Sequence, residues 1–222
     1  NLSPFEQQFS ENRAFFTEGA DLFRKADPAS WRSGEFFYSR RIGQEINFDE
    51  NEYLLDNEEL IRYDEKPNLI NSVKVTGTTD KKLSIGFLNA ITANAHAYFK
   101  NTNDNSTRKE LIAPLTNYNV LSLSQQLLND FSSISFLNTN VNRKSGFNAN
   151  NAAVVLDLFD SERKFNFQSN FFKSHSPRFS QKNGFRGAIQ IQELKGNVNF
   201  KFNWDGVDKY YNQNELGFWN NS

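Results

Sequence analysis

The sequence predicts an all-β chain: an antiparallel meander of about eight strands, part of a transmembrane β-barrel, behind an irregular N-terminal segment. Three observations carry this. Segments of near ten residues alternate apolar and polar side chains, which on a strand sends one set to each face. The connections between them are tight and long by turns, the asymmetry of outer-membrane barrels. The composition pairs 23 Phe with an Asn content of roughly one residue in seven. Phe suits lipid-facing and interfacial positions, and Asn suits turns and polar interiors. A soluble all-β sandwich, its apolar face buried against a second sheet, satisfies the alternation equally. The function of the chain turns on which of the two is true.

Residues 1–66 lack a sustained period of two and read as a plug or loop segment. Asn12 to Phe23 holds a helical turn or two, Asp27 to Gly34 is a loop, and Glu35 to Gly43 reads as one short strand. Asn47 to Lys66 is acid-rich and ends at Pro67, which predicts an exposed loop with a short helix near Leu54 to Ile61. Residues 67–222 are the hairpins of the wall. Val73 and Val75 lead to the turn Gly77–Lys81. Leu83, Ile85, Phe87 and Ile91 then share a face opposite Ser84, Gly86, Ala90 and Thr92. The chain stays extended through Ala95, Ala97 and Phe99, and Asn101 to Lys109 is a polar loop. Tyr118–Leu127 and Ser132–Asn142 form the next pair. Val154, Leu156 and Leu158 are in phase before the turn Asp160–Lys164, and Phe165, Phe167 and Phe171 after it. Phe185–Gln192 and Asn197–Trp204 complete the set, with Ile189, Ile191, Val198, Phe200, Phe202 and Trp204 in phase. Asp205 to Ser222 reads as a polar loop.

The bulk numbers exclude several classes. A net charge of -1 gives no electrostatic case for nucleic acid. The absence of Cys removes disulfides and thiolate metal sites. No apolar run approaches the ~20 residues of a membrane-spanning helix, and no secretory signal opens the chain. Mean hydropathy is low, at -0.69, but only alternate residues of a barrel strand meet lipid, so a low mean is no objection to a barrel. The absence of Met, with numbering from Asn1, points to a processed or excised segment.

Candidate chemistry is sparse. His96 and His175 sit in different hairpins with no acid at ligand spacing, so no metal is expected. Nucleophile-elbow, Walker and dinucleotide fingerprints are absent, and no cofactor is implied. The acids from Asp49 to Glu65 lack the order of a Ca²⁺ loop. Glu162, Glu18 and Asp21 are the carboxylates that could act as acid or base, yet nothing pairs them across a substrate. No catalytic residues are therefore assigned. Arg40 and Arg41 are more informative. On a strand, successive guanidinium groups point to opposite faces, and one buried near a wall needs a carboxylate or several carbonyls. Glu18 and Asp21 are the expected partners, which makes this a structural tether of the N-terminal segment. Trp31, Tyr38, Trp204, Tyr210 and Trp219 suit an interfacial girdle, or stacking on sugars.

Arg13-Ala-Phe-Phe-Thr-Glu-Gly-Ala-Asp-Leu-Phe23 and Phe37-Tyr-Ser-Arg-Arg-Ile-Gly43 carry a resemblance. So do Val75-Thr-Gly77, Leu83 to Thr92, Thr116 to Val120, Asn140-Val-Asn-Arg143 and Tyr211 to Phe218, in order along almost the whole chain. The chain resembles the large Bacteroidota outer-membrane proteins of unknown function that carry a carbohydrate-binding-family-nine-like domain before a β-barrel. Ala14 stands where that pattern has Pro. The resemblance implies the early part of a barrel in a bacterial outer membrane, with a sugar-binding-like domain upstream and further strands downstream. It implies lipid as a partner, and a glycan or surface lipoprotein as a further one. It supplies no catalytic residue. A non-enzymatic surface or transport role is expected. The alternatives are a soluble carbohydrate-binding or adhesion module and, behind it, a glycan-degrading hydrolase.

Overall fold

The computed structural model describes residues 10–18, 20–23, 34–178, 180–196 and 199–219. Expectations for the loop at 27–33, for Trp31 and for Asn197–Val198 lie outside them. The described chain begins with a helical turn, α1 (Ala14–Thr17), and a 3-10 turn (Ala20–Leu22). β1 (Gly34–Glu35) follows, then 3-10 turns at Ser39–Arg41 and Glu50–Glu52, and β2 (Glu58–Tyr63). The hairpins are β3 (Leu69–Thr78), β4 (Leu83–Thr92), β5 (Ala95–Asn101), β6 (Thr107–Ala113), β7 (Thr116–Leu127) and β8 (Ser132–Arg143). β9 (Ala149–Phe159), β10 (Phe165–His175), β11 (Gly184–Glu193), β12 (Lys201–Val207) and β13 (Phe218–Trp219) end the chain.

Eight strands form one antiparallel sheet in the order β12-β11-β10-β9-β8-β7-β4-β3. The all-β meander is thus present, but among the described residues the sheet is open, with β3 and β12 as its edges. The large sheet is also not one uninterrupted run of hairpins. β4 pairs directly with β7, and the β5–β6 hairpin between them leaves the sheet to join β2 in a three-stranded sheet. At one end of the large sheet the turns are tight, and each has a residue in the left-handed region: Lys82, Leu128 and Arg163, with φ of 59°, 54° and 54°. Asn and Asp side chains cap them. Asn129 Oδ1 accepts from the amides of Phe131 and Ser132, and Asp160 Oδ1 from that of Phe165.

One face of the large sheet is covered by both ends of the described chain. Leu88, Ala90, Tyr118, Val120, Val141 and Ala149 on the strands pack with Phe16, Phe23, Phe37, Ile42 and Leu216. Leu137, Ala153 and Phe172 pack with Phe36 and Tyr211. Two glycines let the covering segments approach. A Cβ on Gly86 would lie 3.0 Å from the Phe23 ring, and one on Gly184 would lie 2.2 Å from the Tyr211 backbone.

Three expectations need correction here. The strand at 35–43 is absent: pairing stops at Glu35, opposite Phe218. Phe36 and Phe37, consecutive in sequence, are both buried, one in each apolar cluster, so no alternation exists to hold a strand. The helix near 54–61 is instead β2. Its Glu58 receives two bonds from Arg108, which reaches across Phe99 of β5. Finally, 205–222 is not a polar loop. Asp205–Val207 ends β12, and Tyr211 and residues 213–216 are buried against the covered face.

Candidate functional site

The candidate functional surfaces are the two faces of the large sheet. Each follows from strand parity, and the covered one depends on how the N-terminal segment is tied. Glu11 accepts from Arg13 Nε at 2.9 Å and NH2 at 2.7 Å, and from Ser39 Oγ at 2.6 Å. Arg13 also donates to the carbonyls of Ile42 and Ser39 and lies over the Phe16 ring. Lys74, on β3 with its side chain toward the covered face, donates to the carbonyls of Phe15 and Glu18. Ser122 Oγ donates to the carbonyl of Leu22.

Of the predicted site residues, Arg40 donates through Nε to the carbonyl of Ser10 at 2.9 Å. Arg41 is buried and donates to the carbonyl of Gly217 and to Gln44 Oε1, tying the two chain ends together. Glu18 and Asp21 are exposed, and no ion pair between described residues joins either to the two arginines. Among the described contacts Arg40 reaches the N-terminal segment at the Ser10 carbonyl, Arg41 reaches Gly217 and Gln44, and the acid held in that segment is Glu11, by Arg13 and Ser39. The reason is local: the 3-10 turn at 39–41 replaces the strand, so the arginines do not alternate across a wall. The signal that would have found Glu11 was its spacing of two from Arg13.

Burial alone would raise the Glu11 pKa, but the hydrogen bonds from Arg13 and Ser39 outweigh it and lower it from 4.5 to about 2. A carboxylate with a depressed folded pKa contributes stability above its unfolded pKa and loses it as pH falls toward the folded one. Amide exchange at Arg13 to Thr17 is therefore expected to be unchanged from pH 7 to 4.5, after correction for intrinsic rates, and to rise between pH 4.5 and 2. In Glu11→Gln the protection should be lower throughout and flat with pH.

Arg13 and Arg40 line a cleft of about 610 Å³ together with Glu11, Tyr38, Gln44 and Lys66. Elsewhere the covered face is polar. Gln190 Nε2 donates to Gln168 Oε1 at 3.1 Å, Gln192 to Asn166 at 3.1 Å, and Asn166 to Asp157 at 2.7 Å. Arg186 and Asp205 pair at 2.7 Å with side chains 2% and 6% exposed, and Arg143 meets Glu215 at 2.5 Å. Asn166, Gln168, Asn170 and Gln190 are buried.

The opposite face reverses this. The registers place Val154, Phe171, Gly187 and Gly206 in one cross-strand row. Leu156, Ser169, Ile189 and Trp204 make the next, and Leu158, Phe167, Ile191 and Phe202 the third. Phe136, Leu123, Ile85, Phe87 and Val75 continue the apolar face toward β3. Val75 and Phe202 are each 57% exposed, Phe171 54% and Trp204 52%. Every described residue that the sequence placed in phase on β9–β12 therefore shares one face, and no second sheet covers it among the described residues. The band is deepest on β9–β12. On β4, β7, β8 and β9 it gives way to Asn rows: Asn89 Nδ2 bridges Asn117 and Asn119, and Asn138 pairs with Asn150.

The histidines stay apart. The His96 amide and ring face Asp64, and His175 pairs with Asn150 on the sheet. Among the described residues no group of three or more His, Cys, Asp or Glu is placed to hold a metal ion, and no helix is long and apolar enough to cross a membrane.

No curated protein and no solved structure matches the chain. A family described as a domain of unknown function, DUF5916, matches residues 1–222, the full length given. With a match over every residue, the chain belongs to the DUF5916 family.

Proposed function

We propose that this domain is part of the wall of a β-barrel in the outer membrane of a bacterium of the Bacteroidota. Its large sheet faces lipid, its covered face is turned to a plugged lumen, and its role at the surface or in transport is non-enzymatic. One observation carries the reading: the sheet is inside out. Phe171, Phe202, Trp204 and Val75 are exposed, while Asn166, Gln168, Gln190 and Arg186 are buried. A water-soluble sheet arranges these classes the other way, and a continuous apolar patch of this extent is rare on a soluble monomer. A barrel wall needs this pattern, because lipid solvates the apolar face and the interior is polar.

Strand length agrees. β3, β4 and β7–β11 run 10 to 12 residues, and a tilted membrane strand needs about 9–11. The segments covering the other face are then the plug, tied by Lys74, Arg13 and Arg41. An open sheet cannot sit in hydrocarbon, because its edge amides and carbonyls would lack partners. The reading therefore requires pairing strands for the β3 and β12 edges. Glycans and a surface lipoprotein are the further partners this role implies.

The test is solubility and assembly. The protein is expected to stay in solution only with detergent, and to migrate faster on a gel unheated than boiled. Monodisperse protein in plain buffer, with no heat-dependent shift, would replace this reading with the soluble carbohydrate-binding or adhesion module.

A further inference from the structure

Two of the segments that cover the large sheet are joined to each other through the backbone, and to the sheet only through side chains. Gly34 and Glu35 pair with Trp219 and Phe218. The Tyr38 amide donates to the Leu216 carbonyl at 2.6 Å, and Arg41 Nε to that of Gly217 at 3.2 Å. The second segment also closes on itself. The Gly217 amide donates to the Gln213 carbonyl at 2.8 Å, and the Tyr211 hydroxyl to Gln213 Oε1 at 2.5 Å. Among the described residues, no backbone-to-backbone bond joins 34–42 or 211–219 to the eight strands of the sheet. A group of residues bonded within itself and not into its neighbours' ladder is what opens as a local unit.

The sheet holds the pair by polar side chains and by packing. Ser174 Oγ accepts from the Asn212 amide at 2.9 Å, and Asn151 Nδ2 donates to the Gln213 carbonyl at 3.3 Å. Arg143, at the end of β8, meets Glu215 at 2.5 Å, and Ser176, just beyond β10, donates to the other carboxylate oxygen at 3.4 Å. Among the described residues this is the one ion pair between these segments and the sheet, and the Glu215 side chain is 4% exposed. Phe36, Phe37, Ile42, Tyr211 and Leu216 supply the apolar packing. The seat is nevertheless imperfect. Thr139 and Asn151 are cross-strand partners on the covered face, and Thr139 Oγ1 and Asn151 Oδ1 are buried with no hydrogen-bond partner among the described residues. Water would satisfy both oxygens, so they oppose the closed arrangement that the ion pair and the packing favour.

We propose that residues 34–42 and 211–219 are a single plug that opens from the covered face as one body, with Arg143 and Glu215 as its latch. Opening bares Thr139 and Asn151 to water. Residues 10–23 stay behind, because Lys74 and Ser122 bond them directly to the strands. In the transport reading, on which the role of the motion rests but the existence of the unit does not, release of the latch uncovers the lumen side of the wall.

The experiment is native-state amide exchange on the full chain, in detergent or in plain buffer, whichever keeps it monodisperse. In low urea the unaltered protein should show one opening free energy shared by the amides of Tyr38, Arg41, Ile42, Asn212 and Gly217, below that of β8 and β9. Glu215→Gln should speed exchange at all of these by one common factor of about tenfold or more, the loss of a buried charge pair, and leave β8 and β9 unchanged. Arg143→Gln, altered on the sheet side of the latch, should do the same. Unequal opening of the two segments, in the unaltered protein or in either variant, overturns the proposal, since they then move separately. An equal rise across β8 and β9 also overturns it, because the ion pair then belongs to the global fold. No change in either variant removes the latch. The membrane reading is judged apart: protein monodisperse in plain buffer removes the lumen role, while the exchange result alone decides whether the unit exists.

Discussion

Replacing Val154 by Arg is expected to block assembly, at a cost of about 2–4 kcal/mol, the depth-dependent penalty of a charge on the lipid face of a barrel. Val154 lies between Phe136 on β8 and Phe171 on β10 and is 41% exposed. On a soluble sheet an exposed Val→Arg change stays within about 0.5 kcal/mol, because the guanidinium reaches water. The same side chain in lipid must snorkel past its apolar neighbours. Asn119→Arg is the internal control. Asn119 shares the apolar face but belongs to the Asn rows near the end of β7. At that level a cation costs about 0–1 kcal/mol in the membrane reading. Urea titration in lipid vesicles, read by the heat-dependent gel shift, measures both. A Val154→Arg variant that folds like Asn119→Arg would mean that water, not lipid, faces this band.

The parity of the large sheet was legible because alternation is a local property that pairing only ratifies. Each strand keeps its own alternation, so Leu156, Ile189 and Trp204 fall in one row once the strands pair, and the tight turns after β7 and β9 announce themselves as Asn129-Asp130 and Asp160. What was not legible depends on contacts distant in sequence. β6 has a charged start, Thr107-Arg-Lys-Glu110, and reads as loop until Arg108 is seen to complete an ion pair with Glu58, 50 residues away. β2 was hidden by the same pair. The buried segment 211–217 is composed as a loop, since Asn and Gln dominate it. Only its seat on the polar covered face, where Asn151 meets the carbonyl of Gln213 and Arg143 meets Glu215, makes that composition suit burial. Among the described residues Arg40 donates to the carbonyl of Ser10 and Arg41 to that of Gly217, while Glu11, an acid the sequence reading passed over, is held by Arg13 and Ser39. A strand was assumed at 35–43, and the directions of both guanidinium groups depended on it.

The second large effect is expected at Asp205. Its carboxylate meets Arg186 at 2.7 Å, both side chains are almost wholly buried, and the guanidinium also lies 5.3 Å from the centre of the Phe172 ring. The two residues are diagonal neighbours, since Asp205 pairs with Ala188 and Arg186 with Val207. A guanidinium cannot shed its charge, so Asp205→Asn leaves a cation buried without its anion. That change is expected to cost about 3–5 kcal/mol. Replacing both partners by apolar groups, Arg186→Met with Asp205→Leu, should recover most of the loss, because a buried pair exchanged for packed apolar side chains is often close to neutral. Urea midpoints of the unaltered protein, Arg186→Met, Asp205→Leu and the double variant form a cycle, and a coupling of about 2 kcal/mol or more between the positions is the expected result. β12 is an edge of the sheet, so the pair is one of the links that hold this edge to β11 from the covered side. The cycle therefore also reports on that face. A plugged, largely dry interior keeps the pair strong, whereas water reaching Arg186 would solvate the guanidinium and bring the Asp205→Asn cost below about 1 kcal/mol.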